Sequence, residues 1–234
     1  MVQINFARRE VNCKLVFYGP GLSGKTTNLE IIHKKVPDTA RGNLTSIATE
    51  QDRTLFFDFM PLDLGQVAGM KTKLFLYTVP GQVYYDSTRK LVLQGADGVA
   101  FIADSQVTET ENNAASFLDL RANLKELGIS LKDMPVVLQF NKRDLPNIRF
   151  DAEIEDLAKR GREPVFKASA VSGEGVLETF FGLLDRTFAK LDAEHQLAAK
   201  IGISAAEFLP LAGKRLGLTV SVDALLRKAI GGRT

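Results

Sequence analysis

Cysteine is almost absent: Cys13 stands alone, so no intramolecular disulfide can form. With only two histidines, His33 and His195, there is no spacing for a zinc site. Long hydrophobic runs are missing too. The most apolar stretches, such as Val99-Ala100-Phe101-Ile102-Ala103, fall far short of the ~18 residues of a membrane span. The opening MVQINFARRE lacks the apolar segment of a secretion signal, Val2 stands where myristoylation needs glycine, and no cysteine near the end invites prenylation. A cytoplasmic chain is therefore expected, with any membrane contact made by surface residues. A strong charge of either sign is also lacking, and the net +2 argues neither for nor against nucleic acid. With 45% hydrophobic and 25% charged residues, disordered, collagen-like and coiled-coil classes drop out.

What is present is an alternation of strand and helix patterns. Residues 11–18 read as a strand rich in β-branched and aromatic side chains. It is followed by a glycine-bearing loop and, over residues 25–35, by helical spacing. A polar stretch covers residues 37–53. Residues 54–61 and 71–79 read as strands of an antiparallel hairpin joined through a turn region containing Gly65 and Gly69. From residue 98 the pattern is regular: strands at 98–104, 135–141 and 164–168, with helices at about 110–127, 151–160 and 176–192. Short apolar strands alternating with helices predict an α/β fold: a mostly parallel six-stranded sheet with one antiparallel edge hairpin and helices on both faces. Ligands belong at the carboxyl ends of such strands.

Two motifs fall there. Gly19-Pro20-Gly21-Leu22-Ser23-Gly24-Lys25-Thr26 satisfies G-x-x-x-x-G-K-[ST] between a strand and a helix, the context a phosphate-binding loop requires. Its glycines let backbone N–H groups turn toward phosphates, Lys25 reaches the β- and γ-phosphates, and Thr26 offers an oxygen to Mg²⁺. Gly19, Gly21, Leu22, Ser23, Gly24, Lys25, Thr26 and the adjoining Thr27 are the candidate nucleotide contacts. Asn141-Lys142-Arg143-Asp144 ends another strand. There the Asp144 carboxylate can accept from guanine N1–H and the 2-amino group, a donor pair adenine does not offer. Ser169-Ala170 ends the next strand and completes the base site with Asn141, Lys142 and Asp144.

Together these elements resemble the Ras-like small GTPases. Thr78-Val79-Pro80-Gly81-Gln82 narrows the resemblance to the bacterial gliding-motility and polarity GTPases of the MglA type, in which Thr stands where most small GTPases carry Asp. The likeness covers residues 1–194, expected to form a GTPase domain of the P-loop type. It implies that Gly81 N–H meets the γ-phosphate, Gln82 orients the attacking water, and Arg53 acts as an arginine finger in cis. It also implies that Thr54 approaches Mg²⁺, with Thr45 and Thr49 as rivals. Without a carboxylate at Thr78, weaker metal binding is expected. The implied activity is Mg²⁺-dependent hydrolysis of GTP to GDP and phosphate, slow without an activator. The implied partners are a dimeric roadblock-type activator (MglB-like) and motility or polarity effectors, with recruitment to a cell pole or a membrane-associated complex. A nucleotide-gated scaffold with little hydrolysis is the alternative, and Asn141–Asp144 disfavours an ATP-dependent enzyme.

Residues 195–234 follow a complete nucleotide-binding pattern and carry +4, against −2 for the rest. Ser204 with Glu207 reads as a capping box opening one helix. Asp223 precedes a second helix running to Ile230 and closed by Gly231-Gly232. Leucines throughout this extension provide too much apolar surface for a solvated linker, so it should pack on its own domain, a partner or a second copy. A protein contact ranks above a membrane or nucleic acid because the basic residues are scattered.

Overall fold

The apolar run at residues 11–18 sits at the centre of the sheet because both of its faces find partners. Leu15 and Phe17 enter one apolar cluster and Val16 and Tyr18 the other, as the two-residue period of a strand dictates. This strand is β2 (Glu10–Tyr18) in a computed structural model that describes residues 3–5, 7–47, 57–67, 69–82, 85–202 and 204–231. Parallel to it run β5 (Met70–Thr78) on one side and β6 (Gly98–Asp104), β7 (Val136–Asn141) and β8 (Val165–Lys167) on the other. Outside β5 lie β4 (Phe57–Val67) and β3 (Thr45–Ile47), both antiparallel to their neighbours. All seven residues of β6 are buried, as expected of a strand covered on both faces.

Helices α1 (Lys25–Lys35) and α5 (Val176–His195) cover the Phe17 face, contributing Leu29, Ile32, Phe180 and Leu184 to its cluster. Helices α2 (Asp86–Leu93), α3 (Thr110–Glu126) and α4 (Asp151–Arg160) cover the Tyr18 face through Leu93, Leu120, Leu124 and Ile154. No helix among the described residues is long and apolar enough to cross a membrane.

The fold class matches the sequence reading, with corrections of detail. The sheet has eight strands among the described residues, not six. The additional ones, β1 (Gln3–Asn5), which pairs antiparallel to the start of β2, and β3, have three residues each, too short for an alternation to register. Gly65 lies inside β4 and not in the turn. Its N–H donates to Asp63 Oδ1 at 2.8 Å, and the β4–β5 register shifts between these residues, so the glycine marks a bulge at φ +63°.

The described residues of the C-terminal segment form three helices: α6 (Leu197–Ile201), α7 (Ala205–Arg215) and α8 (Val222–Leu226). Ser204 caps α7 as expected, its Oγ accepting from Glu207 N–H while Glu207 Oε2 accepts from Ser204 N–H at 2.9 Å. The last helix differs from expectation. Ser221, not Asp223, is its cap, and it stops before Ile230. Ile230 exchanges two backbone hydrogen bonds with Val165, at 2.8 and 2.9 Å. The reason is that β8 ends the sheet, and its exposed N–H and C=O groups offer a segment nearby a better use than one more helical turn.

Leu197, Phe208, Leu209, Ala212, Leu216, Val222 and Leu225 all belong to the cluster that contains α5. Phe208 stacks on Phe188 with ring centroids 3.7 Å apart, and Lys228 pairs with Glu178 at 2.6 Å. Phe208→Ala is therefore expected to lower the free energy of unfolding in urea by about 3 kcal/mol, the usual loss for a buried phenyl ring. A change below about 0.5 kcal/mol, within the range of surface substitutions, would show that this segment does not share the core's folding unit.

Candidate functional site

Strands β5, β2, β6, β7 and β8 run parallel, so the loops that follow them emerge along one edge of the sheet. That topology gathers residues 19–26, 78–82, 141–144 and 169–170, far apart in sequence, into one region.

The loop after β2 is shaped by its glycines. Gly24 has φ +96°, and a Cβ there would lie 2.2 Å from the amide nitrogen of Asn141; only glycine allows that approach. Lys25 is 7% exposed, and its Nζ donates to the carbonyls of Gly19 and Pro20 at 2.9 and 2.6 Å. Burial pushes its pKa down to about 8, with Asp58 partly opposing the shift. Thr27 is half-buried, and Leu22 projects outward at φ +60°. Gly81 lies against Gly21: a Cβ on Gly81 would meet Gly21 N at 2.3 Å.

Asn141 ties this loop to the opposite end of the site. Its Nδ2 donates to Ser23 O at 2.8 Å, and its Oδ1 accepts from Ala170 N–H at 2.9 Å. One buried side chain thus holds together three loops from three strands. Lys142 adopts φ +66° and pairs with the buried Asp104 at 2.6 Å. Arg143 turns away to Arg149 O and Asp151, leaving the Asp144 carboxyl group exposed. Ser169 is buried, its N–H bonded to Glu174 O at 3.1 Å.

The sequence reading missed Asp58. This residue of β4 is 6% exposed, and its carboxylate accepts from Thr26 Oγ1 at 2.6 Å, Thr78 Oγ1 at 3.0 Å and Ser46 Oγ at 2.8 Å. Its own N–H donates to Thr78 Oγ1 at 2.8 Å. A buried carboxylate therefore stands on the strand beside Thr78 and in direct contact with Thr26. A signal was available: in Phe57-Asp58-Phe59-Met60 the alternation puts Asp58 on the same buried face as Met60, and a carboxylate on such a face demands partners. The two phenylalanines occupy the other face, in a half-buried stack with Tyr77 and Phe75.

Gln82 is not brought onto the loop. Its side chain is exposed, while its carbonyl accepts from Arg89 Nη1 at 2.6 Å. Thr45 is exposed on β3, where it is Ser46 that reaches the site. Arg53, Thr54 and Thr49 lie outside the described residues.

No family model matches the chain. The chain is 52% identical over 176 residues to mutual gliding-motility protein MglA of Myxococcus xanthus, an alignment covering 75% of this chain and 90% of that protein. Identity at that level over nearly the whole relative, on a sheet and loops of this kind, makes the chain a member of the MglA family of bacterial Ras-like small GTPases.

Proposed function

We propose that this chain is a GTP-hydrolysing switch, in which guanine nucleotide binds along the loop edge and the state of its γ-phosphate sets the conformation of residues near 40–54 and 80–90. The observation that carries the reading is the Asn141 bridge, which ties the phosphate-binding loop to the Ser169-Ala170 turn; Asn141 itself ends the strand that is followed by the exposed Asp144 carboxyl group, suited to guanine. In this reading the backbone of Gly19, Gly21, Leu22, Ser23 and Gly24 holds the phosphates together with Lys25, Thr26 and Thr27, while Lys142, Asp144, Ser169 and Ala170 enclose the base. The donor set fits Mg²⁺: Thr26 hydroxyl and Asp58 carboxylate are oxygen groups already in contact, the kind that magnesium takes beside substrate phosphates. Thr54 is the further candidate of the first switch. Bound there, the ion would neutralise charge on the β- and γ-phosphate oxygens.

For hydrolysis, Gly81 N–H donates to the γ-phosphate, Gln82 orients the water that attacks phosphorus, and the Arg53 guanidinium offsets charge growing on the bridging oxygen as its bond to phosphorus breaks. The kinship to a gliding-motility protein supports a role in bacterial motility or polarity, with a roadblock-type activator (MglB-like) and effectors recruited in the GTP state from the cytoplasm to a pole or membrane-associated complex. The exposed Gln82 side chain supports an activator-dependent rate, and it is also what a non-hydrolysing scaffold would look like. Residues 1–194 are read as the GTPase domain and residues 195–234 as an extension; its exposed Leu211 and Val220 are the surface left for a protein contact.

Three outcomes test this reading. Asp144→Ala is expected to weaken GTP binding by about 2–4 kcal/mol, the value of two charge-assisted hydrogen bonds to the base, with ATP binding unchanged in the same fluorescence titration. Equal losses for both nucleotides would remove guanine selection.

Lys25 supplies a pH test. Its free-state pKa of about 8 should rise when phosphates bind, so binding takes up a proton above that pH. GTP affinity should be full below pH 8 and fall roughly tenfold between pH 7 and 9. A flat profile would contradict a lowered Lys25 pKa coupled to phosphate binding.

Gln82→Ala and Arg53→Ala should each slow activator-stimulated single-turnover hydrolysis by about 100-fold or more while changing affinity little, since both act on the transition state. Native rates in both variants would remove Gln82 and Arg53 from the transition state, whereas no stimulated hydrolysis in the unaltered chain would favour the scaffold.

A further inference from the structure

Gln82 enters the proposed hydrolysis through its side chain, yet the group that fixes its place is bonded to its backbone. Arg89 of α2 is 6% exposed, and its guanidinium spans several partners at once: Nη1 donates to Gln82 O at 2.6 Å, Nε pairs with Asp119 Oδ2 at 2.8 Å, and Nη2 reaches Asp86 Oδ1 at 3.4 Å. Asp119, on α3, gathers these contacts on the same oxygen: its Oδ2 also accepts from the Tyr18 hydroxyl and from Asn123 Nδ2 at 3.3 Å, and Asn123 Nδ2 also donates to Tyr18 Oη at 3.1 Å. Tyr18 and Asn123 are fully buried, and Tyr18 is the last residue of β2, immediately before Gly19. A continuous run of hydrogen bonds, with an ion pair between Asp119 and Arg89 whose Nη2 also donates to Asp119 Oδ1 at 3.4 Å, therefore leads from the root of the phosphate-binding loop, through α3 and α2, to the carbonyl of Gln82.

We propose that Arg89 is the positioning residue of the hydrolytic step: locked by Asp119, it fixes the Gln82 backbone and thereby the place from which that side chain meets the attacking water. The proposal rests on the reading of Gln82 given above. Only a planar guanidinium can serve Gln82 O and the Asp119 carboxylate from two edges; a lysine ammonium is a single point donor on a flexible stem. A small displacement of a group that orients a reacting water is felt strongly in the rate and weakly in ground-state binding.

Single-turnover hydrolysis and GTP affinity of the full chain decide the matter, measured for Arg89→Ala and Asp119→Asn, alone and combined with Gln82→Ala. Arg89→Ala is expected to slow hydrolysis about tenfold, the loss of one charge-assisted contact, with affinity within about threefold. In the Gln82→Ala background it should slow nothing further, since the residue it positions is gone. Arg89→Lys should not restore the rate. Asp119→Asn keeps the shape of the site and removes only the charge that locks Arg89, so it carries the same expectation even if Arg89→Ala unfolds. Native hydrolysis in Asp119→Asn, or equal slowing by Arg89→Ala with and without Gln82, would overturn the positioning role and leave the Gln82 reading intact. A native rate in Gln82→Ala itself would overturn both.

Discussion

Four elements of this protein meet at the carboxylate of Asp58. It accepts hydroxyl hydrogens from Thr26 at the start of α1, Thr78 at the end of β5 and Ser46 on β3, and it is carried by β4 itself. A buried carboxylate is costly unless its lone pairs are occupied, and hydrogen bonds to a charged group are worth about 1.5–3 kcal/mol each. The register of β4 against β5 is therefore tied to the phosphate-binding loop by chemistry as well as by backbone pairing. The same geometry accounts for Thr78. An aspartate there would set two carboxylates at hydrogen-bond distance, and like charges so close cannot both ionise readily. A threonine both donates to Asp58 Oδ2 and accepts from its N–H.

The rest of the edge follows from strand direction. Parallel strands deliver their following loops to one side, and Asn141 then binds the phosphate loop to the Ser169-Ala170 turn. On the α1–α5 face, the C-terminal helices add Phe208, Leu209 and Leu216 to the apolar cluster, and Ile230 closes the free edge of β8. Stabilisation by this segment and chemistry at the loop edge act on separate parts of one sheet.

Legibility in the sequence followed the locality of the cause. The phosphate loop, Asn141–Asp144 and the regular strands and helices are visible because contiguous residues encode them through glycine spacing, a two-residue alternation or a helical period. The three-residue strands β1 and β3 hold too few residues for any period. The end of α8 was misplaced because a tertiary partner, Val165, outcompeted a local helical preference at Ile230. Asp58 was overlooked for the opposite reason: its meaning lies wholly in Thr26, Thr78 and Ser46, which are brought to it by the sheet. Thr78 by itself shows only a missing charge; that a buried carboxylate stands beside it on the adjacent strand is visible only in the fold.

The proposed part of Asp58 in a magnesium-dependent nucleotide site is decided by the GTP affinity of Asp58→Asn with and without magnesium. In excess Mg²⁺ the substitution should weaken binding about tenfold or more. In EDTA it should leave binding unchanged or slightly tighter, because a negative charge near the phosphates has been removed. An equal loss in both conditions, or no loss in magnesium, would rule out the metal role and reduce Asp58 to a structural hub.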